Sequence, residues 1–228
     1  MATVVTVRWL TPPPSSVDER LVVTDDGLAR LDVLRPRTPS GSIGSFQARI
    51  DEADVRALAA TGPNVELNLV VQDPAVAAVA VAADRVARDV RNSPLAVADF
   101  SARPAGPSAD GRLTLVLLVT GQGSQPVQFQ LDVAQSAVHY STGGQPVAWY
   151  PLPELPMGFM TVNADGLGGV RQRALVSPGV LGAISLIVPA PAGAAEVSAQ
   201  LLGSWFLPDD PFPADFEART EPVPLPAG

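Results

Sequence analysis

From Pro94 onward the chain is written in short apolar or alternating runs, none with helical spacing, and each closed by a turn signal. The runs are Ala96–Ala102, Arg112–Thr120, Val127–Val133, Ala137–Ser141, Val147–Tyr150, Ala174–Val176, Leu181–Val188 and Val197–Leu202. Between them stand Gly106-Pro107, Gly121-Gln122-Gly123, Gly143-Gly144, Asp165-Gly166, Pro178-Gly179 and Gly193. Strands of this kind bury one face each and find cover by stacking sheet on sheet. Residues 94–207 are therefore expected to form an immunoglobulin-like antiparallel β-sandwich. Residues 208–228, rich in proline and acid, read as an extended tail held by Phe212 and Phe216.

The first 93 residues mix strands with helices and read as a small α/β domain of about four strands and two helices. Val4–Leu10 alternates, and Leu21–Thr24 and Ala29–Leu34 flank Asp25-Asp26-Gly27, a hairpin signal because Asp and Gly tolerate positive φ. Ile43–Ile50 is a further strand. Asp51 then opens a helix: its carboxylate can accept the Asp54 N–H, Ile50 and Val55 occupy the staple positions, and Gly62 ends it. Val65–Val71 is another strand. Asp73-Pro74 starts a second helix, with Val76, Val79, Ala83, Val86 and Val90 on one stripe and Asp84 and Arg88 paired on another face. The fold class is thus mainly β with minor α.

One tetrapeptide pattern recurs. Phe-x-Ala-Arg occurs in Ser45–Ile50, Asp99–Pro104 and Asp215–Thr220, which on strands puts Phe and Ala on one face and Arg on the other. The spacings are unequal, so this is not a repeat architecture.

Composition excludes whole classes of chemistry. The 228 residues include no cysteine and no lysine. Disulfide scaffolds, thiolate metal sites, thiol nucleophiles, Schiff-base lysines and a P-loop lysine are out of reach. A net charge of −8 argues against nucleic acid as a partner. Met1–Leu10 lacks the pattern of a signal peptide, and no apolar run approaches a membrane span, so the expected location is cytoplasmic without membrane insertion.

The remaining candidates for catalysis are weak. Asp132, Ser136 and His139, the lone histidine, are close in sequence, but 132 and 136 share a strand face that 139 does not. Asp25-Asp26-Gly27 and Asp165-Gly166 lack the hydroxyl residue of an aspartic-protease loop. Asn163–Gly169 lacks the ligands of a calcium loop, and Gly121-Gln122-Gly123 leads into a strand rather than a helix. Arg171 and Arg173 share a face, and the acidic tail is their expected partner. No catalytic residue, metal or cofactor is assigned.

Charge distribution is more informative. Residues 1–114 hold 12 Arg and 14 acids, whereas 115–228 hold 3 Arg and 9 acids. Between Leu113 and Val170 there is no Arg, and Asp132, Glu154 and Asp165 are the acids. Outward strand positions there fall to Gln, Ser, Thr and small apolar residues, the profile of a surface covered by protein. In the same region Trp149–Met160 concentrates aromatics, methionines and prolines; the prolines confine it to a loop or an edge. Trp149, Tyr150, Leu152, Leu155, Met157, Phe159 and Met160 are the candidate interaction residues. The expected function is a non-enzymatic interaction or assembly subunit that binds another protein or its own copy. The alternative is an intracellular inhibitor or ligand-binding sandwich that inserts the 149–160 loop into a cleft. A third is a carboxylate hydrolase using Asp26 or Asp165.

Overall fold

The computed structural model describes residues 2–11, 16–37, 41–68, 74–107, 111–153, 161–164, 170–206 and 213–226. The fold is mainly β, with sixteen strands and two helices among these residues. Two sheets, antiparallel except for one strand pair, carry the chain as in a β-sandwich.

The first sheet has eight strands. In chain order they are β1 (Thr3–Thr11), β2 (Ser16–Thr24), β3 (Leu28–Val33), β4 (Ile43–Arg49), β5 (Asn64–Leu67), β6 (Pro94–Pro107), β7 (Arg112–Gly123) and, much later, β13 (Leu181–Pro189). Their spatial order is β13-β7-β6-β4-β3-β2-β1-β5, and only β5 runs parallel to its neighbour β1. The β2–β3 hairpin turns where the sequence signals it: Gly27 has φ +77° and donates its N–H to Thr24 O at 3.0 Å. The strand expected over Val65–Val71 is observed only over Asn64–Leu67, and residues 69–73 lie outside the described residues.

Helix α1 folds as its punctuation dictates, and α2 starts at the expected Pro74, while Asp73 lies outside the described residues. Asp51 caps α1 (Glu52–Ala59), accepting the Asp54 N–H at 2.8 Å, and Gly62 follows the end at φ +119°. Helix α2 (Pro74–Val90) turns Val79, Ala83, Val86 and Val90 inward. These side chains meet Val5, Val7, Trp9, Leu21, Val23, Leu31 and Phe46 in a core beneath the helices. Asp84 differs from expectation. It accepts the Trp9 indole N–H at 3.0 Å and pairs with Arg37 at 3.2 Å, a tertiary use of a carboxylate that helical spacing had assigned to Arg88.

The second sheet comprises β8 (Val127–Asp132), β9 (Ala137–Thr142), β10 (Gln145–Pro151), β11 (Thr161–Ala164), β12 (Val170–Val176), β14 (Glu196–Phe206), β15 (Ala214–Arg219) and β16 (Val223–Pro224). Its centre is β14, which pairs β9 along Glu196–Gln200 and β8 along Gly203–Phe206. Between those two ladders Ser136 fills the gap: its Oγ accepts the Leu202 N–H at 3.1 Å and donates to Asp132 O at 2.7 Å. Strands β15 and β16 also pair β14, so the proline-rich end contributes strands to this sheet. The physical reason is the parity of Asp215–Thr220, which sends Phe216 and Ala218 into the core.

The two cores lie on opposite faces of the first sheet. On β4, Phe46 points to the helices and Ile43 to the second sheet. On β6, Val97 joins the helix side, while Ala96, Ala98, Phe100 and Ala102 join Phe129, Leu131, Trp205 and Phe216 in the sandwich. All three Phe-x-Ala-Arg segments are strands with Phe inward and Arg outward, and Phe100 and Phe216 stack at 6.1 Å. The sheet is continuous across residues 93–94 because β4 pairs β6 directly.

Candidate interaction surface

The helices cover one face of the first sheet over β1–β5 and as far as Val97 on β6. Beyond them, on the same face, β7 presents Thr114, Val116, Leu118 and Thr120, because the alternate Leu113, Leu115, Leu117 and Val119 are taken by the sandwich core. Its neighbour β13 presents Leu181, Ala183, Ser185 and Ile187, with Ile184, Leu186 and Val188 inward. These eight outward residues carry no charge. Leu181 and Ile187 are 60% and 61% exposed, which sets aliphatic side chains in water at the rim of the molecule.

The crossover into β13 is fixed tightly. Gly121 donates to Val180 O at 3.1 Å and accepts the Gly179 N–H at 2.9 Å. A Cβ on Gly121 would stand 2.2 Å from Ser177 O, so the backbone of the 177–180 turn occupies the space a side chain would need. The edge strand is therefore locked to β7 from its first residue.

The aromatic segment divides into parts with different surroundings. Strand β10 is an edge of the second sheet, as Pro146 and Pro151 require. Trp149 points outward and is 65% exposed, with Val147 beside it on the same face. Tyr150 is half-buried and meets Tyr140 edge-on at 5.9 Å. Leu152 is in the sandwich core, its N–H bonded to Ser136 O at 2.9 Å. Leu155, Met157, Phe159 and Met160 lie outside the described residues.

Among the described residues the groups considered for catalysis do not converge. His139 Nε2 meets Gln200 Oε1 at 2.8 Å on the outer face of the second sheet. Ser136 is buried and committed to backbone groups, and Asp132 bonds Gln135. The Thr24 hydroxyl bond and the nearby Arg49 hold the Asp26 carboxyl below its usual range. Asp165 lies outside the described residues, as do the side chains of Arg171 and Arg173. Among the described residues no three His, Cys, Asp or Glu gather to hold a metal.

Two buried charge clusters are present that sequence reasoning missed. Asp32, 1% exposed, receives Arg20 at 2.6 Å, Arg30 at 2.8 Å and the Ser45 hydroxyl at 3.0 Å. It belongs to a polar row across five strands, with Glu66, Arg8, Arg20, Asp32 and Ser45 in register. Glu19, fully buried, pairs with Arg91 and with Arg37 at 3.1 Å. Arg37 also lies 4.9 Å over the Trp9 ring and borders a groove of about 530 Å³ between α2 and the sheet. Burial opposes its charge, but Glu19 and Asp84 outweigh that and raise its pKa further. The cluster reads as a clasp between β1, β2 and α2, in which Glu19 Oε2 is ion-paired with Arg37 but accepts no hydrogen bond.

No protein-family model matches the chain, and a search of curated proteins finds no significant relative. No helix among the described residues is long and apolar enough to cross a membrane.

Proposed function

We propose that this is a non-enzymatic, cytoplasmic interaction or assembly subunit, whose uncharged β7–β13 face and β10 edge are covered by another protein or by a second copy of the chain. Its scaffold on this reading is a small α/β portion, 1–93, joined to an immunoglobulin-like sandwich. The observation that carries it is the row of eight uncharged outward residues in a chain of net charge −8, with Leu181 and Ile187 largely bare. Exposed aliphatic pairs of this kind gain about 25 cal/mol for each Å² removed from water, and no charge there has to be desolvated. Trp149 adds a rigid aromatic of the type that anchors interfaces.

The test is native mass spectrometry of the tagged chain isolated from its own host, beside a Leu181→Glu/Ile187→Glu double variant. The reading expects a stoichiometric complex heavier than 23.6 kDa that the variant loses while keeping its thermal transition. A bare 23.6 kDa chain in both preparations overturns it.

A second reading is an inhibitor that offers the segment after Leu152 to a cleft. It is favoured by the firm seating of Leu152 beside the exposed Trp149, which gives that segment a fixed stem. Replacing residues 154–159 by Gly/Ser would abolish binding on this reading and leave it intact on the first.

A further inference from the structure

An edge strand is a row of unpaired N–H and C=O groups, and proteins blunt such rows with charge, proline, bulges or brevity. Strand β5, at one end of the first sheet, is four residues long and carries Glu66. Strand β10 carries Pro146 and Pro151 and a register shift between Pro146 and Ala148. Strand β13 has none of these guards along its length. It runs nine residues, LGAISLIVP, with no charge, one proline at its very end and nine consecutive pairs to β7 without a shift. Among the described residues its other side is paired to nothing.

We infer that β13 pairs antiparallel with β13 of a second copy about a two-fold axis at Ser185, joining two first sheets into one; this rests on the interface reading above and names its partner. The strand is self-complementary in that register. Ser185 faces Ser185, and each copy's small Ala183 faces the other's Ile187 across the outward row. Leu181 faces the terminal Pro189, so each exposed aliphatic gains a cross-strand neighbour.

Charge selects the same place. Two copies of a −8 chain repel over most of their surfaces, but neither β13 nor the adjacent outward positions of β7 from Thr114 to Thr120 bring an acid to the contact. Size sets the strength. A nine-residue edge is about 30 Å long and with its flanking side chains covers about 400–500 Å² per copy, against about 800 Å² in a standard stable interface. The dimer is accordingly a reversible one, with a dissociation constant of about 1–100 μM.

The absence of cysteine makes the pairing directly readable. Across an antiparallel pair opposite Cα atoms lie about 4.5 or 5.5 Å apart, within the span a disulfide bridges. Purified Ser185→Cys protein under mild oxidation is expected to form a covalent dimer at least ten times faster than Ser101→Cys. Ser101 is also exposed but lies two strands in from the edge, on β6. The unmodified chain alone is expected to show a monomer–dimer equilibrium in sedimentation, which Ala183→Lys abolishes without changing the thermal transition. A chain that stays at 23.6 kDa up to several hundred micromolar overturns the inference, as does a Ser185→Cys variant that links no faster than the Ser101→Cys variant. If that happens while the host-isolated chain still carries a different protein, the partner is wrong and the interface reading stands. If the host-isolated chain is bare as well, both fall.

Discussion

Gly44 and Ala96 approach more closely than any side chain at position 44 would allow: a Cβ on Gly44 would stand 2.1 Å from the Ala96 carbonyl oxygen. Gly44 also holds φ +128°, where an L side chain is strained. This contact lies where β4 meets β6 and joins the helix-covered half of the first sheet to the sandwich half.

Gly44→Ala is therefore expected to cost about 2–5 kcal/mol, from backbone strain together with forced separation of the two strands. Gly144→Ala has a positive φ but nothing within 4 Å, and is expected to cost about 1 kcal/mol. Urea denaturation followed by tryptophan fluorescence distinguishes them by the size of the midpoint shift.

Asp32→Asn keeps the shape of the side chain but leaves Arg20 and Arg30 facing a neutral amide. Losing one partner of a buried ion pair costs about 3–5 kcal/mol when both partners are buried. Both arginines here are about a third exposed, which reduces the expected loss to about 2–3 kcal/mol. Equilibrium unfolding of the variant gives the number.

Ser136→Ala removes the acceptor for the Leu202 N–H in the gap between two ladders of β14. The amide is left inside the sheet without a partner, at a cost of about 1–3 kcal/mol. Denaturant midpoint shifts at constant slope are the expected result, because the exposed area on unfolding is unchanged.

Burial, with Tyr150 close by, pushes the Tyr140 phenol up to about 12, and its hydroxyl donates to Pro189 O at the end of β13. The unfolded chain ionises this group near its ordinary value of 10, so the native state loses stability as pH rises from about 10 to about 12. Absorbance at 295 nm should show a late phenolate step near 12 in the folded protein. That step should be missing in Tyr140→Phe.

Much of the fold is legible in local pattern. The Asp51 cap, the Val79–Val90 stripe and the inward Phe of Phe46, Phe100 and Phe216 follow from spacing alone, because they depend on neighbours within a few residues. The pairing of β4 with β6 is not legible, since nothing near Gly44 in sequence encodes its meeting with Ala96. Glu19 and Asp32 are illegible for the same reason. A carboxylate at an inward register is tolerable only if arginines reach it; Arg30 is two residues from Asp32, but Arg20 is 12 residues away and Arg91 is 72 residues from Glu19. At the surface, sequence located the charge-poor half and confined Trp149 to a loop or an edge. It merged Trp149 with Leu152, whereas the chain sends one to solvent and the other to the core. The β7–β13 row could have been singled out from the alternation of Leu181–Val188, had its outward half been weighed as heavily as its inward half.

The most direct test of the interface is hydrogen exchange at amides 181–188 in the assembly isolated from its host. A covered β13 edge predicts slow exchange along nearly the whole strand, dropping to protection of about half the amides in Leu181→Glu/Ile187→Glu, where only those bonded to β7 remain held. If the wild-type assembly and the variant both show half the strand exchanging at solvent rate, β13 is an open edge and the account is contradicted.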